Sequence, residues 1–138
     1  NRAASMDTLK DIPIRLVKAD ATSELVGRFG LQSFDTVVDS FSFCVMGTHG
    51  AKEYLDQMRQ VVKTKSDGGQ ILLLENTRSS NPFLGLYQDA TADAAALVGG
   101  KGCVYNQDIS QMIKESSLVA EENLYAAGIF RGYRCQVS

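Results

Sequence analysis

The sequence is poor in the residue types that build disulfide scaffolds and zinc sites. It contains three cysteines, Cys44, Cys103 and Cys135, and a single histidine, His49. The cysteines are far apart and odd in number, which argues against a disulfide framework, and one histidine argues against a Cys/His zinc site. We therefore expect no bound metal and three reduced thiols packed in the core, as in an intracellular, reducing compartment.

Long apolar runs and an excess of positive charge are missing as well. The net charge is −2, so the overall balance gives no sign of nucleic-acid binding, although Arg131 and Arg134 form a local basic pair. No run is long enough to span a membrane, and we expect no signal peptide. The chain begins at Asn1 without an initiator methionine, and we expect it to be a fragment of a longer protein.

The 44% of hydrophobic residues follow a pattern that predicts alternating strands and helices. Strands are predicted at Ile14–Asp20, Phe34–Phe41 and Gln70–Glu75, the second of them covered on both faces. A hairpin is predicted in the tail, from Glu122 to Val137, around residues 126–128.

Helical spacing and capping residues predict four helices between these strands. They are a short helix within Thr22–Gly30, a helix over Ala51–Lys65 that follows a loop at Gly47–Gly50, a helix over Phe83–Val98, and a helix from Asp108 to about Leu118. Asn81-Pro82 is typical of an N-cap followed by proline in the first turn. The order predicts an α/β fold with a Rossmann-like, mostly parallel sheet, helices on both faces and a C-terminal antiparallel hairpin.

Three segments in this order resemble the later motifs of class I S-adenosylmethionine-dependent methyltransferases: Val17–Ala21, Phe34–Phe41 and Asp67–Glu75. The tail, Glu122-Asn123-Leu124 with Gly128–Tyr133, resembles the closing hairpin of the ubiquinone/menaquinone-biosynthesis group. The resemblance covers nearly the whole chain and implies that residues 1–138 are the C-terminal part of a single methyltransferase domain.

Two parts of the family pattern do not occur in these 138 residues. They are the glycine-rich cofactor loop after the first strand and the acidic residue that ends the second strand. The domain is therefore expected to be incomplete at its N-terminus. A missing N-terminal half or another protein chain would have to cover the exposed sheet.

The resemblance implies which residues touch the cofactor S-adenosylmethionine. Asp20 would accept a hydrogen bond from the adenine amino group, and the N–H of Ala21 would meet a ring nitrogen. Asp39, Ser40 and Phe41 would line the methionine part. From the residues alone, Asp20 also suits a cap of the following helix, and the two roles are compatible.

Acceptor-lining and catalytic residues are less defined by the sequence. Glu75 and Asn76 end a predicted strand at the edge where substrate would lie, and Tyr87 is a further candidate, although each also suits a structural role. His49 is a weak candidate for a general base, since a solvated loop histidine is the simpler interpretation. Gly99–Gly102 is not a phosphate loop, because it follows a helix and lacks the required spacing.

Two functions follow from the resemblance. The first is methyl transfer from S-adenosylmethionine to a small or lipophilic acceptor. The second is a catalytically inactive protein of the same fold that serves as a structural subunit or assembly factor in a larger complex. Because Gly102–Ile109 is similar to a segment of mitochondrial members, the mitochondrial matrix is expected as well as the cytoplasm.

Overall fold

The computed structural model describes residues 12–98, 104–125 and 128–138, which form a four-stranded mixed sheet with helices. In chain order the elements are α1 (Leu25–Phe29), β1 (Thr36–Ser40), α2 (Phe43–Val61), β2 (Gln70–Asn76), α3 (Pro82–Val98), α4 (Ile109–Glu115), β3 (Leu118–Tyr125) and β4 (Phe130–Val137). The order of strands across the sheet is β1-β2-β4-β3.

The sheet combines one parallel pair with an antiparallel hairpin. Strand β1 runs parallel to β2, with Val37 opposite Ile71. Strand β4 lies antiparallel between β2 and β3, with Cys135 opposite Ile71 on one side and Ala120 on the other. The predicted α/β class and the C-terminal hairpin are therefore confirmed.

The predicted strand at Ile14–Asp20 does not form. This segment has no regular secondary structure, and its apolar side chains are open to solvent, with Leu16 75% and Ile14 41% exposed. A strand exists only through the hydrogen bonds of a neighbouring strand, and no described strand pairs with this segment. The parallel part of the described sheet is therefore the single pair β1–β2. The expectation of a mostly parallel sheet is corrected to a mixed sheet, because the other two strand pairs are antiparallel.

The described helices that pack on the sheet cover one face of it. Ile71 and Leu73 of β2 are 0% and 3% exposed on that face, where they join the core with side chains of α2 and α4. On the other face Val38 is 70% exposed. We expected β1 to be covered on both faces and helices to flank both sides of the sheet. For the described residues both expectations are corrected, because the helices cover one face only. Alternation along a strand places successive side chains on opposite faces, so one-sided cover leaves every second residue open.

Helix α2 is longer than predicted and contains a kink. The predicted apolar stripe is confirmed, because Tyr54, Leu55, Met58, Val61 and Val62 are all buried. The chain is already helical from Phe43, and the predicted loop at Gly47–Gly50 is wrong. Gly47 itself has a non-helical backbone with φ 68°, a value that favours glycine, so α2 consists of two helical segments that meet at a kink there.

The predicted caps and thiols are confirmed where the structure describes them. Asn81 Oδ1 accepts the N–H of Phe83 at 3.0 Å at the start of α3, and Asp108 Oδ1 accepts the N–H of Gln111 at 2.9 Å at the start of α4. Burial raises the pKa of the Cys135 thiol to about 12, and Cys44 is also buried. Cys103, the predicted end of α3 at Gly99–Gly102, and Ala126-Ala127 lie outside the described residues.

Gly69 provides a test of the connection between α2 and β2. A Cβ at this position would lie 1.9 Å from the carbonyl oxygen of Lys63. Gly69→Ala should therefore lower the free energy of unfolding by about 1–3 kcal/mol or more, because backbone atoms would have to move apart.

The matched control is Gly27→Ala in α1, where a Cβ meets nothing within 4 Å. Alanine favours the helix there by up to about 1 kcal/mol, so this variant should unfold at the same or a higher urea concentration. The measurement is urea unfolding followed by circular dichroism. Equal losses in the two variants would contradict the packing described for Gly69.

Candidate functional site

The carboxyl ends of β1 and β2 lie side by side and define the candidate site. Ser40 is opposite Leu74 in the register, and the N–H of Phe41 donates to the carbonyl of Leu74 at 2.9 Å. The chain then turns at Phe41 and Ser42 into α2. In open α/β sheets, ligands bind in the crevice beyond the carboxyl ends of parallel strands, so this end is where a ligand is expected.

Phe41 adopts an unusual backbone conformation at this end. Its φ is 55°, in the left-handed region that costs energy for a bulky residue, and its side chain is 43% exposed. Its ring packs edge-to-face on Phe130, with centroids 5.8 Å apart. Strained backbone of this kind is concentrated at binding sites, and here it presents Ser40 and Phe41 beyond the sheet.

A buried acidic cluster holds this turn against the sheet. Glu75 of β2 is 0% exposed, and its Oε1 accepts the N–H of Ser42 at 3.0 Å. The Asp39 carboxylate accepts the Ser42 hydroxyl at 2.7 Å and the Tyr54 hydroxyl at 3.3 Å. The cluster, defined as Asp39, Ser42, Tyr54 and Glu75, thus connects β1, β2 and α2.

The pKa of Glu75 is raised to about 8, first by burial and then by its hydrogen bond with Asp39, against the opposing effect of the Ser42 N–H. Burial and the neighbouring Asp39 carboxylate therefore both favour the protonated form of Glu75. Its Oε2 is buried and has no hydrogen-bond partner among the described residues. Burial and the negative charge of Asp39 also raise the pKa of Tyr54.

Asp20 occupies a turn rather than the end of a strand. Its carboxylate accepts the N–H of Thr22 at 2.9 Å and the Thr22 hydroxyl at 2.7 Å, bonds that lower the pKa of Asp20. Its carbonyl accepts the N–H of Glu24 just before α1, which fits the capping role. The Thr22 methyl lies 3.8 Å from where a Cβ of Gly50 would be, so the turn lies against the first half of α2.

The remaining candidates lie apart from the buried cluster. His49 is on α2, not in a loop, and its side chain is 89% exposed and 3.2 Å from Glu53. Tyr87 is 64% exposed on α3, and Asn76 is half-buried opposite Phe130. The structure thus brings Asp39, Ser40, Phe41 and Glu75 together, whereas His49 and Tyr87 lie on helix surfaces.

An apolar groove on the open face of the sheet was not predicted. It has a volume of about 550 Å³ and is lined mainly by Phe41, Leu72, Leu74, Tyr125, Phe130 and Gly132. Tyr125 lies over Gly132, where a Cβ would be 3.4 Å from the Tyr125 ring. Alternation of Phe130 and Gly132 in the tail indicates a shared face, but only the pairing of β4 with β2 brings that face to Phe41.

The described residues contain neither a membrane-spanning helix nor a metal site. Among them, no helix is long and apolar enough to cross a bilayer. Within the same ranges, no group of three or more His, Cys, Asp or Glu side chains is arranged to hold a metal ion.

No protein-family model matches the chain, but solved structures of methyltransferases share its fold. An O-methyltransferase family protein from Burkholderia thailandensis aligns with a TM-score of 0.58 at 16% identity, over 89% of this chain and 35% of its own. A SAM-dependent methyltransferase from Thermotoga maritima aligns at 0.61 and 13%, over 99% and 70%. Human N-acetylserotonin methyltransferase, solved in complex with SAM, aligns at 0.57 and 11%, over 94% and 36%.

The chain therefore shares its fold with proteins named as methyltransferases. The chain spans about a third of the length of the Burkholderia and human proteins and 70% of the Thermotoga protein. At these identities the likeness concerns the fold, and activity is a separate question.

Glu75→Gln tests the buried acidic cluster through the pH dependence of stability. The raised pKa of Glu75 means that its stabilising contribution is complete below about 4.5 and is lost progressively as pH rises to about 8. Over this window the free energy of unfolding should fall by up to about 1.4 kcal/mol per pH unit. Glutamine keeps both the acceptor for Ser42 and a donor toward Asp39, so the variant should lack this slope.

The measurement is urea unfolding of both proteins at a series of pH values from 5 to about 7.5, below the range around 8.5 in which the thiols of the unfolded chain ionise. The same slope in Glu75→Gln as in the parent protein would show that Glu75 is not the titrating group.

Proposed function

We propose that the protein transfers a methyl group from S-adenosylmethionine to a small or lipophilic acceptor, and that residues 1–138 are the C-terminal part of one methyltransferase domain. The observation that carries the proposal is the end of the parallel pair, where Ser40 and Phe41 are exposed beside a strained turn. That end belongs to a fold shared with proteins named as methyltransferases. The narrower assignment to the ubiquinone/menaquinone-biosynthesis group rests on the resemblance of Glu122-Asn123-Leu124 and Gly128–Tyr133 to the closing hairpin of that group.

The chemistry of the residues that we propose as cofactor contacts fits S-adenosylmethionine. Asp20 is exposed, and its lowered pKa keeps it ionised, so it can accept a hydrogen bond from the adenine amino group. The N–H of Ala21 would meet a ring nitrogen. The turn of Asp39, Ser40 and Phe41 would line the methionine part, and the glycine-rich contacts would come from outside these 138 residues.

S-adenosylmethionine, when bound, supplies a methyl group that is already activated on a sulfonium. The work of the protein is then to align the acceptor with that methyl group, which supplies about 7–11 kcal/mol of barrier reduction. The bonds of Asp39 and Glu75 to Ser42 fix the turn that would do this. A base is needed only for an acceptor that must lose a proton, and His49, exposed and paired with Glu53, is a weak candidate for it.

A lipophilic acceptor is supported by the aromatic character of this end. The exposed ring of Phe41 packs on Phe130, and neither carries a charge. Asn76 and Tyr87 are proposed to line the acceptor, since α3 begins shortly after the end of β2. Glu75 is fully buried and would not touch the acceptor. Its proposed role is to position the acceptor site by fixing the turn at Ser42.

The open face and free edge of β1 are proposed to be covered by the N-terminal part of the same domain. Val38 is 70% exposed on this face, and β1 pairs with β2 along one edge only in the described sheet. Exposed edges and apolar faces of this kind are normally covered in a native protein. A separate protein partner on the same surface is the alternative.

The second candidate function is a catalytically inactive subunit or assembly factor with the same fold. The observation that favours it is the internal pairing of the acidic cluster, because the Asp39 carboxylate already serves Ser42 and Tyr54. A site whose polar groups are satisfied within the protein has fewer left for a ligand. Binding of the cofactor separates the two functions.

Calorimetric titration of the full-length protein with S-adenosylmethionine tests the proposal. We expect saturable binding that Asp20→Ala weakens by about tenfold to a hundredfold, because a charge-assisted hydrogen bond is lost. The matched control is Asp35→Ala, which removes an exposed carboxylate paired with Lys63 at the other end of β1. Asp35→Ala should bind like the parent protein.

Absence of saturable binding by the parent protein would contradict methyl transfer and support the inactive subunit. Equal weakening by both variants would contradict the assignment of Asp20 to the cofactor, because it would reflect a general loss of structure or charge.

A further inference from the structure

The buried acidic cluster contains two carboxyl groups that have no cation beside them. Glu75 is 0% exposed and Asp39 is half-buried. None of the ion pairs between described residues includes either of the two. Carboxylates away from water are normally paired with a cation, because an unpaired buried charge is costly. A positively charged ligand would meet this demand.

The two carboxyl groups converge on one residue, Ser42. Asp39 accepts the Ser42 hydroxyl at 2.7 and 2.8 Å with its two oxygens, and Glu75 Oε1 accepts the Ser42 N–H at 3.0 Å. Glu75 Oε2 is buried without a hydrogen-bond partner among the described residues. The pair of Asp39 and Glu75 therefore lies directly behind the turn that presents Ser40 and Phe41, with one buried oxygen atom unsatisfied.

Two tyrosines near the pair are neutral. Tyr54 of α2 donates its hydroxyl to Asp39 at 3.3 Å, and burial together with the charge of Asp39 raises the pKa of Tyr54. Tyr133 of β4 lies on the same face, and burial raises its pKa as well. Neither phenol therefore adds a negative charge to the pair at neutral pH, and neither supplies a positive one.

The nearest arginine in the register is already matched by an acidic residue. Arg131 of β4 lies opposite Glu75, but its guanidinium pairs with Glu122 of β3. Helix α4 also packs on this face, and its charged residues and cap are all exposed: Asp108, Lys114 and Glu115. The described residues therefore leave the negative charge of the pair without a counter-charge.

The proposed cofactor and its product differ in charge. S-adenosylmethionine carries a permanent positive charge on its sulfonium, and S-adenosylhomocysteine, which lacks the methyl group, is a neutral thioether at that atom. We propose that the pair of Asp39 and Glu75 discriminates between the two, binding the sulfonium ligand with both carboxyl groups ionised and the thioether with one of them protonated. The inference rests on the proposed function, which sets the methionine part of the cofactor along Asp39, Ser40 and Phe41.

A proton and the sulfonium charge then compete for the pair. Without ligand, burial and Asp39 raise the pKa of Glu75 to about 8, so the protonated form is favoured near neutral pH. A nearby cation favours the ionised form instead. Binding of S-adenosylmethionine should therefore release protons, whereas binding of S-adenosylhomocysteine should leave the proton in place. Selection by charge would favour the exchange of product for cofactor.

An inorganic cation fits the pair less well than a sulfonium. Hard cations take six or more oxygen ligands, and in the described ranges no group of three or more His, Cys, Asp or Glu could hold a metal ion. The ammonium group of the methionine part is a further cation, but both ligands carry it. A comparison of the two ligands therefore isolates the sulfonium charge.

Calorimetric titration of the full-length protein with each ligand, at pH 6 and at pH 8, tests the proposal. The dissociation constant of S-adenosylhomocysteine divided by that of S-adenosylmethionine should rise about threefold to tenfold between these pH values, because a shift of one unit in a pKa corresponds to a factor of ten. Titrations at pH 7 in buffers with different heats of ionisation should show more protons released by S-adenosylmethionine than by S-adenosylhomocysteine.

Glu75→Gln removes the titrating group and keeps an acceptor for Ser42, so its ratio of dissociation constants should be the same at both pH values. The matched control is Asp35→Asn, the same kind of change at an exposed carboxylate that pairs with Lys63. Asp35→Asn should keep the pH dependence of the parent protein. The proton release of the parent protein needs no variant, so it decides the matter even if Glu75→Gln folds poorly.

Two results would overturn the inference and leave the proposed function intact. One is binding of both ligands by the parent protein with a ratio that does not change with pH and with equal proton release. The other is a rise of the ratio in Glu75→Gln equal to that in the parent protein, which would reflect the ammonium group of the ligands. Binding of neither ligand would contradict the proposed function and the inference together.

Discussion

The buried carboxyl group of Glu75 is the constraint on which the rest of the candidate site depends. It lies in the core at the end of β2 and accepts the N–H of Ser42, where β1 has just turned into α2. A charged carboxylate would be costly in this place, and protonation next to Asp39 removes that cost. One neutral side chain thereby fixes the relative positions of a strand end, a neighbouring strand and a helix.

One-sided packing of the sheet is the second organising feature. The same alternation that buries Ile71 and Leu73 under α2 leaves Val38 and Leu74 on the other face. The apolar groove beside Phe41 is part of that open face.

Local sequence signals predicted the elements that depend on local chemistry. The apolar stripe of α2, the Asn81 and Asp108 caps and the tail hairpin were all readable from spacing and residue type. The absence of a strand at Ile14–Asp20 was not predictable. A strand needs a neighbouring strand to pair with, and the composition of this segment does not show whether one is present. The loop assigned to Gly47–Gly50 was wrong because only Gly47 leaves the helical conformation, and the next helical segment begins directly after it.

The site was predictable in outline only. Ser40 and Phe41 were placed at a strand end by their position after a β-rich run, and the structure agrees. That Asp39 and Glu75 both bond to Ser42 depends on the register between β1 and β2, which are 30 residues apart in sequence. The contact of Phe41 with Phe130 depends on the pairing of β4 with β2. Such contacts follow from topology, which periodicity does not reveal. The exposed face of α3 was missed for a related reason, since helical spacing shows that a stripe exists but not which way it faces.

The most direct test of the central claim is a crystal structure of the full-length protein with S-adenosylhomocysteine. The account predicts the adenosine beyond the carboxyl ends of β1 and β2, with its amino group at Asp20 and the amino-acid part along Ser40 and Phe41. Nucleoside at the opposite end of the strands, or on a surface that does not include this turn, would contradict it.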